Sequence, residues 1–298
     1  MADCKRCGRN LPFYSFSEIC SQCKADMARF AKEQGVTVER RVSDAKPTFT
    51  TALLAINLIV FLAMAFSGVS LSSPTGNELL RWGANFGLAS LYDQPWRILT
   101  ANFVHIGILH IAFNMWCLWD LGSLAERIFG GWILLCLYVC CGISGYLVSI
   151  WWNPGVLNAG ASAAVFGIAG ALIAALRLGK LPFPPHAVQS TLKSLLTFAG
   201  YNLFFGFIIP FISNSAHIGG LLMGLALGAL LAGSLTAESP RRQVWQLAVF
   251  LAAVLTLSGA YLFLRYSVLR RYRGEQRIEQ RYSLPASSSG SSLTKSTA

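Results

Sequence analysis

Two residues in this chain have the types and positions that nucleophilic chemistry needs. Ser162 opens an apolar run in Gly160-Ala161-Ser162-Ala163, and His217 opens another in Ala216-His217-Ile218-Gly219-Gly220. A hydroxyl and an imidazole within hydrogen-bond reach form the nucleophile–base pair that acyl transfer requires. His110 and Asn114 stand four residues apart, so they share one helix face. Both carry donors able to reach a developing oxyanion. His105 lies one turn earlier and off that face. Each residue alone is commonplace: a Gly-x-Ser in a small-residue helix usually serves packing, and a single interfacial histidine is usually structural. Their coincidence is what points to chemistry.

Four cysteines make a second constellation, Cys4-x2-Cys7-x12-Cys20-x2-Cys23. Each CxxC places two thiolates on one tight turn, and two such turns complete a tetrahedral zinc site. Four sulfur ligands leave no open coordination position, so the expected zinc is structural, in a small zinc-ribbon-like knuckle. Two redox-active or idle cysteine pairs are the competing reading. Gly8, after the first knuckle, suits a left-handed turn. The other cysteines (Cys117, Cys136, Cys140 and Cys141) fall in apolar runs and read as small packing residues.

The elements that must hold these residues are legible in the composition. The chain has 298 residues, 54% of them apolar and 12% charged, and its mean hydropathy is +0.52. Soluble domains carry roughly 25% charged residues, so a soluble fold is excluded. Seven apolar runs stand at about 48–67, 102–119, 131–152, 160–177, 191–212, 215–233 and 244–264, against the ~20 residues that a spanning helix needs. The expected fold is therefore all-α, a polytopic membrane helical bundle. The segment 68–101 is too apolar for a plain linker and reads as a loop dipping into the membrane interface. The start is polar, so no cleavable signal is expected.

Basic residues set the orientation. With the amino-terminal head inside, the head and the inner loops together hold 15 Lys/Arg, whereas the outer loops before the tail hold only Arg81 and Arg97. That bias places the head in the cytosol, where reducing conditions disfavour disulfides. The basic tail violates the bias: seven spans leave Arg265, Arg270, Arg271, Arg273, Arg277, Arg281 and Lys295 outside. The fourth and sixth runs then both travel from outside to inside, so Ser162 and His217 start at similar depth. Gly220, Gly224 and Gly228 form a small-residue stripe on the sixth run, and Ala163, Gly167 and Ala171 form one on the fourth. Such stripes let helices approach closely, and close approach brings the serine to the histidine.

Absences narrow the chemistry. No acid lies in the middle of any run, and there is no HExxH. An aspartyl membrane protease needs two membrane carboxylates, and a zinc membrane protease needs its helical HExxH. A proton-coupled transporter usually carries an acid or lysine in a span.

On these residues the sequence resembles the rhomboid family of intramembrane serine proteases. The resemblance covers about 48–235 and rests on separate segments. These are Trp96-Arg97-x2-Thr100, His105-x4-His110-x3-Asn114, Glu126-x3-Gly130, Gly160-Ala161-Ser162 and Ala216-His217-x-Gly219-Gly220-x3-Gly224. It implies a six-helix core with an added C-terminal helix. It implies Ser162 as nucleophile and His217 as base, a dyad without a carboxylate. It further implies an oxyanion hole of the Ser162 N–H with His110 and Asn114, and Phe166 stacked on the base. The aromatic fifth run (Phe198, Tyr201, Phe204, Phe205, Phe207) would form a lateral gate, and 211–215 a cap loop. Ala163 departs from the glycine usual in the family, which puts a strained backbone there in question.

The expected organisation is a zinc-ribbon-like cytosolic head (1–30), a linker (31–47), a catalytic core (48–235), a seventh helix (244–264) and a basic, then Ser-rich tail (265–298) whose end reads as disordered. The expected activity is cleavage of transmembrane substrates at the outer side of a cell membrane, with no cofactor for catalysis, lipid bilayer as surroundings and no nucleic-acid partner. A proteolytically inactive binding or escort protein of the same fold is the alternative.

Overall fold

Apolar runs in hydrocarbon become helices because a helix satisfies every backbone polar group within its own segment. The computed structural model describes residues 4, 7–9, 19–23, 25–26, 47–179, 181, 183–209, 212–236 and 239–282. The expected linker 31–47, all but its last residue, and the tail from 283 lie outside the described residues. In chain order the elements are α1 (Thr48–Phe66), α2 (Gly76–Arg81), β1 (Asn85–Phe86), α3 (Gly87–Tyr92), α4 (Arg97–Thr100), α5 (Ile108–Phe129), α6 (Gly131–Trp152), β2 (Leu157–Asn158), α7 (Ser162–Leu178), α8 (Pro185–Ile208), α9 (Asn214–Ala232) and α10 (Ser239–Tyr282).

Among the described residues, five stretches are long and apolar enough to cross a membrane: Thr48–Phe66, Ile108–Phe129, Gly131–Trp152, Asn214–Leu235 and Pro240–Tyr272. The fold is a polytopic membrane helical bundle. The fourth run is a shorter apolar helix, Ser162–Leu178. It stands at the centre, buried along nearly its whole length from Ala163 to Leu176, so protein rather than lipid surrounds it. α8 is not among the five. Gln189, Ser190, Lys193 and Ser194 dilute its first half, and only Ala187, Leu195 and Ala199 of its side chains are buried.

Several boundaries differ from the runs read in the sequence, among them the end of the second run, read at 119 and found at Phe129. The second run was expected from 102, but α5 begins at Ile108, because Gly107 has φ +89° and interrupts the helix. α8 begins at Pro185, which suits a first helical position where its missing N–H is not needed. α10 continues through the charged residues after 264, since arginine and glutamate are good helix formers.

The first turn of α1 follows Pro47, which offers no side-chain cap. Glu126 of α5 supplies one instead. Its carboxylate accepts from the Phe49 N–H at 2.9 Å, the Thr50 N–H at 2.8 Å and the Thr50 hydroxyl at 2.7 Å. A negative group at a helix N-terminus meets both the unpaired N–H groups and the dipole.

The 68–101 segment is a folded loop. Its apolar residues Val69, Leu79 and Ala84 pack with Met64 and Val104 in a small second core. Arg97 ties it together: its guanidinium donates to the Leu80 carbonyl at 2.5 Å and the Ala84 carbonyl at 3.1 Å, and to the Gln94 side chain at 2.5 Å. Burial pulls the Arg97 pKa down, and the Asp93 carboxylate opposes that. β1 pairs antiparallel with β2, Asn85 opposite Asn158, which joins this loop to the chain entering α7.

Candidate active site

The small-residue stripes meet as their spacing suggests. A side chain at Gly220 would collide with the carbonyl of Ala163, one at Gly224 with that of Gly167, and one at Gly228 would come within 2.5 Å of the Ala171 backbone. α7 and α9 therefore touch backbone to backbone. At the N-terminal end of this seam the Ser162 Oγ lies 2.9 Å from the His217 Nε2. The Phe166 ring stacks on the imidazole, with centroids 4.3 Å apart and planes 11° from parallel. His217 Nδ1 is buried and has no partner among the described residues, so no carboxylate orients the ring there.

The turn before Ser162 is held from three sides. Gly160 has φ +123°, a conformation that only glycine adopts cheaply. Its N–H donates to the Ala101 carbonyl at 2.9 Å. The Tyr146 hydroxyl reaches the Gly160 carbonyl at 2.6 Å and the Ala101 carbonyl at 3.1 Å. The Ala161 N–H donates to His105 Nε2 at 3.4 Å. The fully buried His105 is thus a neighbour of the turn, and its Nδ1 sits 3.2 Å from the Phe103 carbonyl. A ring that accepts at Nε2 carries its proton on Nδ1 and donates it to that carbonyl.

His110 shows the opposite tautomer. Its Nδ1 accepts the Ile106 N–H at 3.2 Å, which leaves the proton of the neutral ring on Nε2. A Cβ at Gly160 would lie 2.8 Å from that Nε2, so the absent side chain is what lets the donor approach the serine turn. Asn114, one turn further along α5, donates to the His110 carbonyl at 2.9 Å. Its amide keeps a second N–H beyond this intrahelical bond. The structure thus brings Ser162, His217 and His110 together around one turn, with Asn114 on the adjoining turn of α5.

The chain as a whole is similar to known proteins. The rhomboid domain family model matches residues 92–234. Rhomboid-like protease 2 of Toxoplasma gondii is 30% identical over 222 residues, covering 70% of this chain and 75% of that one. Rhomboid protease AarA of Providencia stuartii is 30% identical over 196 residues, 59% of this chain and 69% of its own.

This chain belongs to the rhomboid family.

Rhomboid protease GluP of Bacillus subtilis (strain 168) is 32% identical over 270 residues, 86% of this chain and 50% of its own. RHOMBOID-like protein 7 of Arabidopsis thaliana is 32% identical over 168 residues and is covered to 53%. The chain spans about half the length of these two relatives. As a rhomboid it is an integral membrane protein.

Ala163, where rhomboids usually have glycine, is regular helix, and among the described residues no non-glycine has positive φ. Its methyl group fits because α6 presents Gly145 opposite it; a Cβ at 145 would lie 2.5 Å from the Ala163 Cβ. The strain that this departure put in question is absent.

The fifth long helix of this rhomboid, α8, touches the site through one ring. Phe198 stands 5.3 Å from Phe166. Further out, the Asn214 amide donates to the Leu203 carbonyl at 3.0 Å. Beyond that, Tyr201, Phe204, Phe205 and Phe207 are exposed, Phe207 to 80%. Of the expected cap loop, Phe211 lies outside the described residues; Ser213 caps α9 by accepting from the Ala216 N–H at 3.4 Å.

The cysteine head also assembles. The sulfurs of Cys4, Cys7, Cys20 and Cys23 all lie within 4.8 Å of one another. The Cys20 N–H donates to Cys4 Sγ at 3.2 Å, and the Cys23 N–H to Cys20 Sγ at 3.5 Å. Gly8 takes φ +69°, the left-handed turn that its place after the knuckle predicts. N–H donors on sulfur favour thiolates, and the Cys23 N–H lowers the Cys20 pKa, while the bond to Cys7 pushes Cys23 up to about 12. Neighbouring thiols cannot all ionise without a cation between them, which is the chemistry a divalent metal relieves. The donor set fits zinc.

Sequence reasoning missed two residues here. His105 carried no role from spacing, and Tyr146 read as one more residue of an apolar run. A hydroxyl in a buried run was the only available signal for the tyrosine.

Proposed function

We propose that this chain is an intramembrane serine endopeptidase that cleaves transmembrane segments of membrane proteins with a Ser162–His217 dyad. The observation that carries the reading is the 2.9 Å contact between the Ser162 Oγ and the His217 Nε2, at a turn faced by the protonated nitrogen of His110.

The chemistry proceeds in two halves. His217 Nε2 accepts the Ser162 hydroxyl proton as Oγ attacks the scissile carbonyl carbon. The carbonyl oxygen becomes an oxyanion. The Ser162 N–H, at the first turn of α7, and the side chains of His110 and Asn114 receive it; helix N-termini favour such charge. The imidazolium then gives its proton to the leaving amine, and the C–N bond breaks. Water enters from the outer face, gives a proton to His217 and attacks the acyl carbon, and Ser162 regains its proton as the acyl group leaves. With no carboxylate on Nδ1, the stacked Phe166 ring orients the base. The substrate helix must unwind locally, since a helix hides its amides. Access between α5 and α8 is supported by the sparse burial of α8.

The head is read as a structural zinc site on Cys4, Cys7, Cys20 and Cys23. Bound zinc would supply folding energy there rather than catalysis. The orientation supported by the basic residues puts this head in the cytosol and the dyad toward the outer face of the cell membrane. The expected domain limits are 1–30 for the head, 48–235 for the catalytic core and 244–264 for the seventh crossing.

The test is fluorophosphonate labelling with cleavage of a transmembrane reporter by purified protein. Labelling and cleavage that vanish in both Ser162→Ala and His217→Ala, with folding retained, support the enzyme. A folded wild-type protein that neither labels nor cleaves supports the escort reading instead.

A further inference from the structure

The catalytic reading leaves one large feature unused, the outer end of α10. This helix runs uninterrupted for 44 residues, Ser239–Tyr282. At 1.5 Å per residue that is ~66 Å, about twice a hydrocarbon core of ~30 Å. Both ends of its membrane part are fastened. At the inner end the Arg242 guanidinium donates to the Phe129 carbonyl at 3.3 Å, and the Trp245 indole to the Leu230 carbonyl at 2.8 Å. At the outer end the Tyr261 hydroxyl donates to the Ser90 carbonyl at 3.4 Å. Leu264 is the last buried side chain described on the helix.

From Arg265 to Tyr282 the sequence carries six arginines against two glutamates. Arg265, Tyr266, Arg270, Arg271 and Tyr272 are exposed. Arg270 donates to the Tyr266 hydroxyl at 3.3 Å, and its guanidinium lies 5.9 Å from that ring's centre. This surface is connected to the serine turn. Ser90, which Tyr261 holds, donates its hydroxyl to Asn85 at 2.8 Å. Asn85 pairs with Asn158 across β1 and β2, two residues before Gly160.

Two chemistries attract such cations: acidic headgroups and acidic polypeptide. A helix that binds headgroups lies in the membrane plane on an apolar face. Here the helix leaves the bundle without a break, its outer part is poor in apolar residues, and Arg281 stands ~25 Å along the axis from Leu264. The helix axis is therefore carried past the headgroups, to the height of another protein's extramembrane segment. A bare helix of this length is marginal in water, which also favours a partner.

We propose that the outward extension of α10 docks the acidic juxtamembrane segment of a membrane-protein client, beside the loop that carries the serine turn. The proposal rests on the protease reading and on the orientation given by the basic residues. Complementary charge would steer clients and set which are captured.

The experiment uses the full chain as Ser162→Ala in zwitterionic vesicles, with a fluorescent transmembrane peptide bearing either an aspartate-rich or a glutamine-rich outer flank. Capture of the acidic probe is expected to be about tenfold tighter at low salt, and equal to the neutral probe once ~1 M salt shortens the screening length to ~3 Å. Replacing Arg265, Arg270, Arg271, Arg273, Arg277 and Arg281 by glutamine should abolish the difference, and replacing them by glutamate should reverse it toward a lysine-rich flank. Equal capture of both flanks by the parent chain, or a preference that survives the glutamine variant, overturns the proposal. So does a variant whose only loss is affinity for phosphatidylglycerol vesicles, which assigns the surface to lipid. Cleavage by the Ser162 chain is scored separately. Selective capture with neither probe cut means that docking stands and the protease reading fails. Both probes cut with equal capture means the reverse.

Discussion

α7 and α8 are neighbours built on opposite terms. α7 is buried nearly throughout, and its small residues sit against the glycines of α9 so closely that no added carbon fits at Gly220 or Gly224. α8 is longer, buries three side chains and turns its outer aromatic residues to its surroundings. One ring contact, Phe166 with Phe198, joins the loose helix to the dyad. Van der Waals contact and backbone proximity hold helices together in lipid, where burial of apolar surface gives no advantage. The Ser162–His217 contact is therefore built on the small-residue seam, while α8 is made of large side chains with few partners.

The sharpest break of this contrast lies on the tight side. His110→Ala removes a donor facing the serine turn and should lower kcat roughly 10²–10³-fold, while loss of the acceptor for the Ile106 N–H should cost ~1–3 kcal/mol of stability. A rate within a few-fold of the parent would remove His110 from the oxyanion site. Gly224→Val should follow, costing ~2–3 kcal/mol. Its side chain meets the Gly167 backbone, which cannot move aside as a flexible side chain would. Unfolding in mixed micelles should show that loss together with lower labelling of Ser162.

Phe166→Ala should be milder, about tenfold or less in rate, as expected for one aromatic stack of ~0.5–1.5 kcal/mol. The same substitution in a Ser162→Ala background should lower stability by ~3 kcal/mol, because the buried ring leaves a cavity between Phe198 and His217. On the loose side, Phe207→Ala should change stability by less than ~0.5 kcal/mol and the cleavage rate by only a few-fold, in either direction according to the substrate. A loss from Phe207→Ala as large as that from Gly224→Val would erase the distinction between the two helices.

Much of this was readable along the chain. Hydropathy and length separate a membrane bundle from a soluble domain. The three-residue spacers of Gly220, Gly224 and Gly228 mark a helix face that another backbone can approach, and Ser162 and His217 lie at the starts of runs that travel in the same direction. Helix ends were less legible. Gly107 stops α5 short of the apolar residues before it, and α10 runs through arginines that hydropathy reads as a break.

What the amino-acid order determined alone is therefore whatever depends on local spacing: the runs, the stripes and the CxxC pairs. Only the tertiary structure decided the rest. His105 accepts from Ala161, 56 residues away; Glu126 caps α1 from 76 residues away; and Gly145 makes room for Ala163. Each of these is one polar group or one missing carbon meeting another across the bundle. Such contacts leave no periodic trace in the sequence, because neither partner is unusual where it stands. They acquire meaning only when packing removes water and each remaining donor must find an acceptor inside the protein.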